Sequence, residues 1–390
     1  MAANALTFNQ VSAILTAITS QATGKTAIAP VNTNEFITVA NTALNTGYDP
    51  VMQAISQVLS KTIFSTRPYT RKFKGLEADS VRYGNHVRKL NVVDGDFEED
   101  DRVKLTDGTS VDMYSVKKPE VLQTNFYGAN VWQKHLTIFK DQLDCAFNSV
   151  DEFQRFVTMT LTNVSDMIEQ AHETTARAAI ANLIGGKIDK DKSNVIHCLS
   201  EYKELIGDET LTGADLMKPE NFEPFVKWFF ARVQTVSDLF TERTQDYQMQ
   251  VSGKEITRHT PKNRQKAYMY QPFMTQVDTR VRSTLFGEKW LKGVDYEPVN
   301  FWQAFNNPQQ LDIVPSAITT TGAIVKGAAV KQNGILGVLF DEEACGYTTI
   351  NQWSQATPFN ARGGYHNIFW HFTDRYWNDF TEKCVVFLLD

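Results

Sequence analysis

SVDEFQRFVTMTLTNVSDMIEQAHETTARAAIANLIGG, residues 149–186, reads as a single helix. At 1.5 Å per residue, about 35 residues make a rod roughly 50 Å long, a length that few compact enzymes need. Ser149 followed by Glu152 is an S-x-x-E capping box, which satisfies N–H groups that the first turn leaves open. Apolar or small side chains recur at helical spacing through Phe153, Val157, Leu161, Val164, Ile168, Ala171, Thr175, Ala178 and Ala181. Gly185-Gly186 then supplies a left-handed stop. The other face carries Gln154, Arg155, Thr162, Asp166, Glu169, Glu173 and Arg177. That face is too polar for a core helix, so the rod is expected to lie across a surface as a strut.

The rest of the chain has to supply what the strut supports. With 390 residues there is material for two cores. A net charge of −6 gives no basic face to displace counterions from phosphates, which excludes tight, sequence-read nucleic-acid binding. Cys145, Cys198, Cys345 and Cys384 are dispersed without a C-x-x-C pair, so they read as reduced thiols of a protein made in a cytoplasm. The start of the chain lacks a basic, then apolar, export signal, and no stretch approaches the ~20 apolar residues of a membrane span. The expectation is a soluble product.

Residues 1–66 read as an arm. Up to Ser60 the only charged side chains are Lys25, Glu35 and Asp49. Asp49-Pro50 opens a helix whose apolar set, Val51, Met52, Ile55, Val58, Leu59, Ile63 and Phe64, needs a cover, for which a partner subunit is expected. From 69 to 139 the pattern turns to strands. Alternation at 81–83, 87–93 and 111–121, with turns at Asp94-Gly95 and Asp107-Gly108, describes a long antiparallel ribbon that does not stand alone in water. Its charges are divided. Arg67, Arg71, Lys72, Lys74, Arg82, Arg88 and Lys89 precede Asp94, Asp96, Glu98, Glu99, Asp100 and Asp101. A basic stem and an acidic tip suit a projection that lies on the next copy of itself. The expected subunit-interface residues are therefore Arg71, Lys72, Lys74, Arg88, Lys89, Glu98, Glu99, Asp100 and Asp101.

After the long helix, 187–215 is a polar connection with a short apolar run at 195–199. A strongly apolar helix follows at 220–242, then a strand at 266–270, a helix at 272–286 opened by proline, and a strand at 294–305 bent at Pro298. This alternation suggests a compact α/β subdomain. Pro, Gly, Thr and Ala between 306 and 332 favour an exposed loop or edge hairpin. Strand character resumes at 335–340 and 368–377, and 384–389 is an apolar strand expected in the first core.

Reactive constellations are absent. Gly24-Lys25-Thr26 resembles the end of a phosphate-binding loop, but Thr19 stands where that loop needs glycine. His366 and His371, five apart, point to opposite sides of a strand and make no metal pair. His197-Cys198 are adjacent, and neighbouring side chains of an extended segment diverge. The acidic run 94–101 lacks the spacing of a calcium loop. No catalytic, metal or cofactor site is expected, and cofactors are none.

An arm, an extended two-stranded loop, a long spine helix, a compact α/β subdomain and returning strands follow one another here. The blocks that carry the resemblance are 126–139, then Asp141, Ala146, Phe147, Phe153 and Phe156, then 267–285, 337–347, Asn360-Ala361-Arg362-Gly363, 365–377 and 384–389. In this order the chain resembles the major capsid proteins of tailed bacteriophages, the Hong Kong phage-type fold, and most of all those of short-tailed, Picovirinae-like phages. The resemblance implies an α+β capsid fold with an N-terminal arm at 1–66, an extended β-ribbon loop at 67–126, and a peripheral domain at 127–219 containing the spine helix 149–186. It further implies an axial domain at 220–340 and returning peripheral strands at 341–390. The implied function is self-assembly into an icosahedral shell around a double-stranded DNA genome, without enzymatic activity. The implied partners are other copies of the chain in hexamers and pentamers, a scaffolding protein, a portal protein and packaged DNA held without sequence specificity. The arm is too poor in charge to be a built-in scaffold and is expected to stay in the mature particle. An encapsulin-like nanocompartment shell protein and an α/β enzyme are the alternatives.

Overall fold

The computed structural model describes residues 7–27, 29–61, 69, 71–78, 87–93, 99–114, 116, 118, 121–190, 194–249, 256–282, 295–318 and 324–390. The chain opens with helices α1 (Phe8–Thr23), α2 (Thr33–Leu44) and α3 (Tyr48–Lys61). Gly24 ends α1 at φ 67°, so Gly24-Lys25-Thr26 is a helix terminus and not a phosphate cradle. Asn32 caps α2 by accepting the Glu35 N–H at 2.9 Å. Val11, Leu15, Phe36, Ala40, Val51, Met52 and Ile55 are fully buried together with Phe147, Phe153 and Val157. The apolar face of α3 is thus covered inside the chain, because α1 and α2 fold back over it and onto the spine. Ile63 and Phe64 lie outside the described residues.

The ribbon pairs β1 (Val87–Val92) with β2 (Val121–Phe126), in register from Val87↔Phe126 to Val92↔Val121. Between them lie α4 (Asp101–Lys104), one helical turn, and the turn at Gly108, φ 83°. The expected second strand at 111–121 is displaced to β2. This segment runs straight into β3 (Ala129–Phe139), whose ladder in the body fixes its course, and the alternating residues before it remain exposed. The expected strand at 81–83 and the turn at Asp94-Gly95 fall outside the described residues.

After α5 (Lys140–Phe147) the spine α6 runs Val150–Lys190, past the expected stop. Ser149 Oγ accepts the Glu152 N–H at 3.2 Å, as a cap should. Gly185 and Gly186 are helical because other chain segments pack directly on them. A Cβ on Gly185 would lie 3.0 Å from Ile313 Cγ2, and one on Gly186 would collide with the Phe380 ring. The polar face also departs from the strut reading, since Glu173 is buried and Arg177 half-buried. The first half of α6 supports the N-terminal core through Phe153, Val157 and Val164. Its second half enters a different core through Ala176, Ile180, Leu183 and Ile184. The rod is long because it joins two cores.

β4 (Val195–His197), α7 (Cys198–Ile206), α8 (Gly213–Leu216) and α9 (Pro219–Thr241) occupy the expected connection and apolar helix. β5 (Gln265–Tyr270) and α10 (Gln271–Val277) follow, and α10 gives way to one π turn, Asp278–Arg282. The strand expected at 294–305 shrinks to β6 (Glu297–Val299), because the chain then turns to bury Trp302, whose Nε1–H donates to Ile335 O at 3.0 Å. Short strands β7 (Leu311–Ile313), β8 (Ser316–Ile318), β9 (Ile324–Lys326) and β10 (Val330–Gln332) pair as β7 with β10 and β8 with β9. Last come β11 (Ile335–Asp341), β12 (Cys345–Ala356), β13 (Tyr365–Asn378) and β14 (Cys384–Leu388).

Two sheets organise the body. One has the order β12-β13-β3, and its inner face lies over the N-terminal helices and the spine. The other has the order β4-β14-β11-β5-β6 and is buried on both faces, which is why β11 and β14 are continuous apolar runs. Val385, Phe387, Leu336 and Leu339 meet α9 on one side. Val386, Leu388, Val338 and Phe340 meet the second half of α6 on the other. β14, expected in the first core, instead sits inside this second sheet, because both of its faces need cover that the open three-stranded sheet does not provide.

Candidate functional site

The charged stem of the ribbon separates into groups bound within the chain and groups open to solvent. Arg71 is buried. It pairs with Glu77, lies 3.5 Å from Glu169 Oε1, and stacks over the Tyr347 ring at 5.6 Å. Around it the spine's polar face receives the chain leading to the ribbon. Tyr69 N–H donates to Asp166 Oδ1 at 3.0 Å, the Tyr69 hydroxyl donates to Glu173, and the Lys72 N–H reaches Glu173 Oε2 at 3.4 Å. Burial and that bond to Glu173 push the Tyr69 hydroxyl up to about 12. Arg177 binds Glu173 at 2.6 Å while lying 3.8 Å over the Phe301 ring and 5.0 Å from that of Phe73. Asp166, Glu169, Glu173 and Arg177, spaced three to four residues apart, form one row that clasps the ribbon's base.

Lys89 anchors β1. Its Nζ lies 3.0 Å from Asp379 Oδ2 and 2.9 Å from Glu343 Oε2, and it also pairs with Glu382. Burial lowers the ammonium, but Asp379 and Glu382 outweigh this and hold it above its ordinary value. Burial pushes the Glu382 carboxyl up against the pull of Lys89 and of Arg258, which lies 2.6 Å away. The half-exposed Glu343 is also raised by burial, yet Lys89 and Arg264 bring it down to about 2. Lys89 is the cation around which three body carboxylates close.

Lys72, Lys74 and Arg88 are exposed. So are Glu99, Asp100 and Asp101 near the tip, where Asp100 caps α4 by accepting the Arg102 N–H at 2.9 Å and Glu99 lies 3.6 Å from Lys104. Glu98 lies outside the described residues, as do Arg67, Arg82, Asp94 and Asp96. Charge reading alone passed over the apolar part of this surface. Met113, Tyr114 and Val116 are 81, 81 and 80 % exposed, and Val103, Leu90 and Val92 also face solvent. The alternation at 111–116 is its signal in the sequence, but the same alternation equally describes a paired strand.

Among the described residues no three or more His, Cys, Asp or Glu side chains are arranged so that they could hold a metal ion. His366 and His371 fall on opposite faces of β13, the first buried and the second partly exposed. Cys198 is buried, its thiol pushed up by burial, and His197 instead meets Asp390 at 2.8 Å. What remains is an exposed surface of charged and apolar side chains carried on a projection.

A family model for the Phi29-like phage major capsid protein matches residues 12–388. The chain belongs to that family. This capsid protein builds a shell from many copies of itself and is not an enzyme, so the nanocompartment and enzyme alternatives fall away. No curated protein matches the sequence. In fold it is similar to a chain of the Staphylococcus phage Andhra capsid, with TM-score 0.53, 10 % identity, and 85 % of this chain and 87 % of that one covered. It is similar also to a chain in the structure of the head fiber and inner core protein gp22 of native bacteriophage P68, with TM-score 0.52, 9 % identity and coverage of 85 % and 87 %. Both likenesses extend the capsid protein's fold across most of its length. No described helix is long and apolar enough to cross a membrane.

Proposed function

We propose that the ribbon is the extended loop through which one capsid protein grips the next in an icosahedral shell of hexamers and pentamers. The supporting observation is the combination of exposed Met113, Tyr114 and Val116 with the exposed acids Glu99, Asp100 and Asp101 on one projection. Each large apolar side chain buried between copies contributes roughly 1.5–3 kcal/mol. Many such modest joints around a closed lattice add up, while each remains weak enough to correct. Lys72, Lys74 and Arg88 at the stem offer the opposite charge, and Arg71 and Lys89 hold the stem at its angle. The division 1–66 arm, 67–126 loop, 127–219 peripheral domain, 220–340 axial domain and 341–390 returning strands is proposed with it, except that β4, α7, α8 and β14 pack with α9 and the axial sheet. The shell encloses double-stranded DNA, and the net charge of −6 suits a wall that does not grip its contents. A scaffolding protein and a portal protein complete the assembly in the host cytoplasm.

Changing Glu98, Glu99, Asp100 and Asp101 to lysine tests the reading. The exposed tip adds little to the fold, so the subunit is expected to melt as the parent does and to fail in shell assembly. Normal assembly at low salt would reduce the acidic tip to a solvated face.

A further inference from the structure

The sheet β12-β13-β3 has one covered and one open face. His366, Ile368, Trp370, Phe372 and Asp374 of β13 are buried toward the N-terminal helices and the spine. The odd-numbered residues between them point the other way, and the strand register fixes what stands beside each. Trp353 and Gln133 flank His371, while Gln355 and His135 flank Phe369. The Trp353 ring lies on the His371 imidazole, with centroids 4.0 Å apart and planes 15° from parallel. Phe369 continues the row, 6.4 Å from His371 and 5.9 Å from His135.

Trp353 is 46 % exposed. Because β12 is an edge strand, one face of the indole rests on His371 and no strand stands beyond the other. A ring already held in place loses little rotamer freedom when a ligand meets it. Along β12 the same side carries Asn351 and Gln355, both exposed, and their side-chain amides have no hydrogen-bond partner among the described residues. From Tyr365 to Thr373, and among the outward residues beside them, there is no Asp, Glu, Lys or Arg. Val131, at the β3 edge, is the one aliphatic side chain on this face.

We propose that this open face, centred on Trp353, binds neutral polysaccharide and is presented on the outside of the shell. An aromatic face takes up a flat apolar surface, and each amide beside it offers two donors and an acceptor. A pyranose ring needs both at once, since it carries C–H groups on its faces and hydroxyls around its rim. Charge complementarity narrows the class to uncharged sugars, because no lysine or arginine is present to pair with a sulfate, a uronic acid or a phosphate. A single open platform holds a sugar weakly, but a shell repeats it in every subunit. A polymer that spans several copies is then held about 100-fold or more tightly than one short chain.

Saturation-transfer NMR of isolated subunits with maltohexaose, mannohexaose and chitohexaose provides the test, followed by retention of assembled heads on amylose, mannan and chitin. At least one oligosaccharide is expected to bind, and its polymer to retain heads; binding of none of the three would overturn the proposal. Trp353→Ala should melt as the parent does and weaken binding at least about tenfold, while Trp353→Phe keeps part of it. Asn351→Ala combined with Gln355→Ala leaves the ring in place and should also weaken binding, which keeps the test sharp if the tryptophan variant folds poorly. Binding unchanged in all three variants would place the sugar elsewhere and overturn the site. Binding to dextran sulfate alone, lost at high salt, would mean recognition by charge and overturn the ligand class. A subunit dimer that Trp353→Ala abolishes would make a second copy the occupant, and heads that fail to bind although subunits do would overturn the outward placement.

Discussion

Replacing Lys89 with methionine keeps the stem's length and removes its charge, leaving Asp379 and Glu382 without their shared partner. Both carboxylates are nearly inaccessible, with side chains 3 and 5 % exposed. Breaking a buried pair from one side ordinarily costs about 3–5 kcal/mol. Here the remaining partners lessen the loss. Asp379 still accepts the Thr381 N–H at 3.0 Å and its hydroxyl at 2.6 Å, and Glu382 keeps Arg258. An expected loss of about 3 kcal/mol corresponds to a fall of roughly 4 °C in the melting temperature of a subunit of 390 residues. The sign with pH follows from Glu382. Its folded pKa is raised by burial, so its contribution is favourable at low pH and is lost as pH rises through the folded value. Removing Lys89 raises that value further, so the variant's deficit should be smaller near pH 5 than at pH 8. Lys89→Met combined with Asp379→Asn, which leaves the Arg258–Glu382 pair in place, should regain part of the loss. Hydrogen exchange in β1 should quicken in the single variant as the ribbon root is released. A deficit below about 1 kcal/mol that does not vary with pH would refute the reasoning.

Deleting residues 384–390 takes β14 from between β4 and β11 and opens both cores that it separates, so the truncated chain should be insoluble; a soluble, cooperatively melting product would contradict the sheet order. Gly186→Ala improves helix propensity by about 1 kcal/mol but drives a methyl into Phe380, so a net destabilisation of roughly 1–2 kcal/mol is expected by denaturant titration; a gain in stability would show that the ring yields. The N-terminal helices bury Val11, Leu15 and Phe36 against the body, so intact mass of the subunit from finished particles should show the arm retained, and loss of tens of residues would disprove it.

The sequence carried the helix 150–186 and the strand runs 335–340, 368–377 and 384–388 because local periodicity, a cap and continuous apolar composition are properties of neighbouring residues. It also carried the order of parts on which the capsid resemblance rested. It misread Gly185-Gly186 as a stop because an unoccupied Cβ position looks the same in sequence whether it serves a left-handed turn or the approach of Phe380, 194 positions away in numbering. The charge division of the ribbon stem was visible, yet Arg71 and Lys89 could not be told from Lys72 and Arg88. What distinguishes them is the position of Glu77, Glu169, Glu343, Asp379 and Glu382, set by strands and turns distant in the chain.

Composition and periodicity thus determined which of the longer segments are helix or strand, since those follow from residue types at short spacing. The tertiary structure alone decided that the N-terminal helices find their cover within the chain, that β14 belongs to the second sheet, and which charges remain free to meet another copy. Those outcomes depend on which buried faces and buried charges find partners across long sequence separations, and pairwise burial of that kind has no local signature.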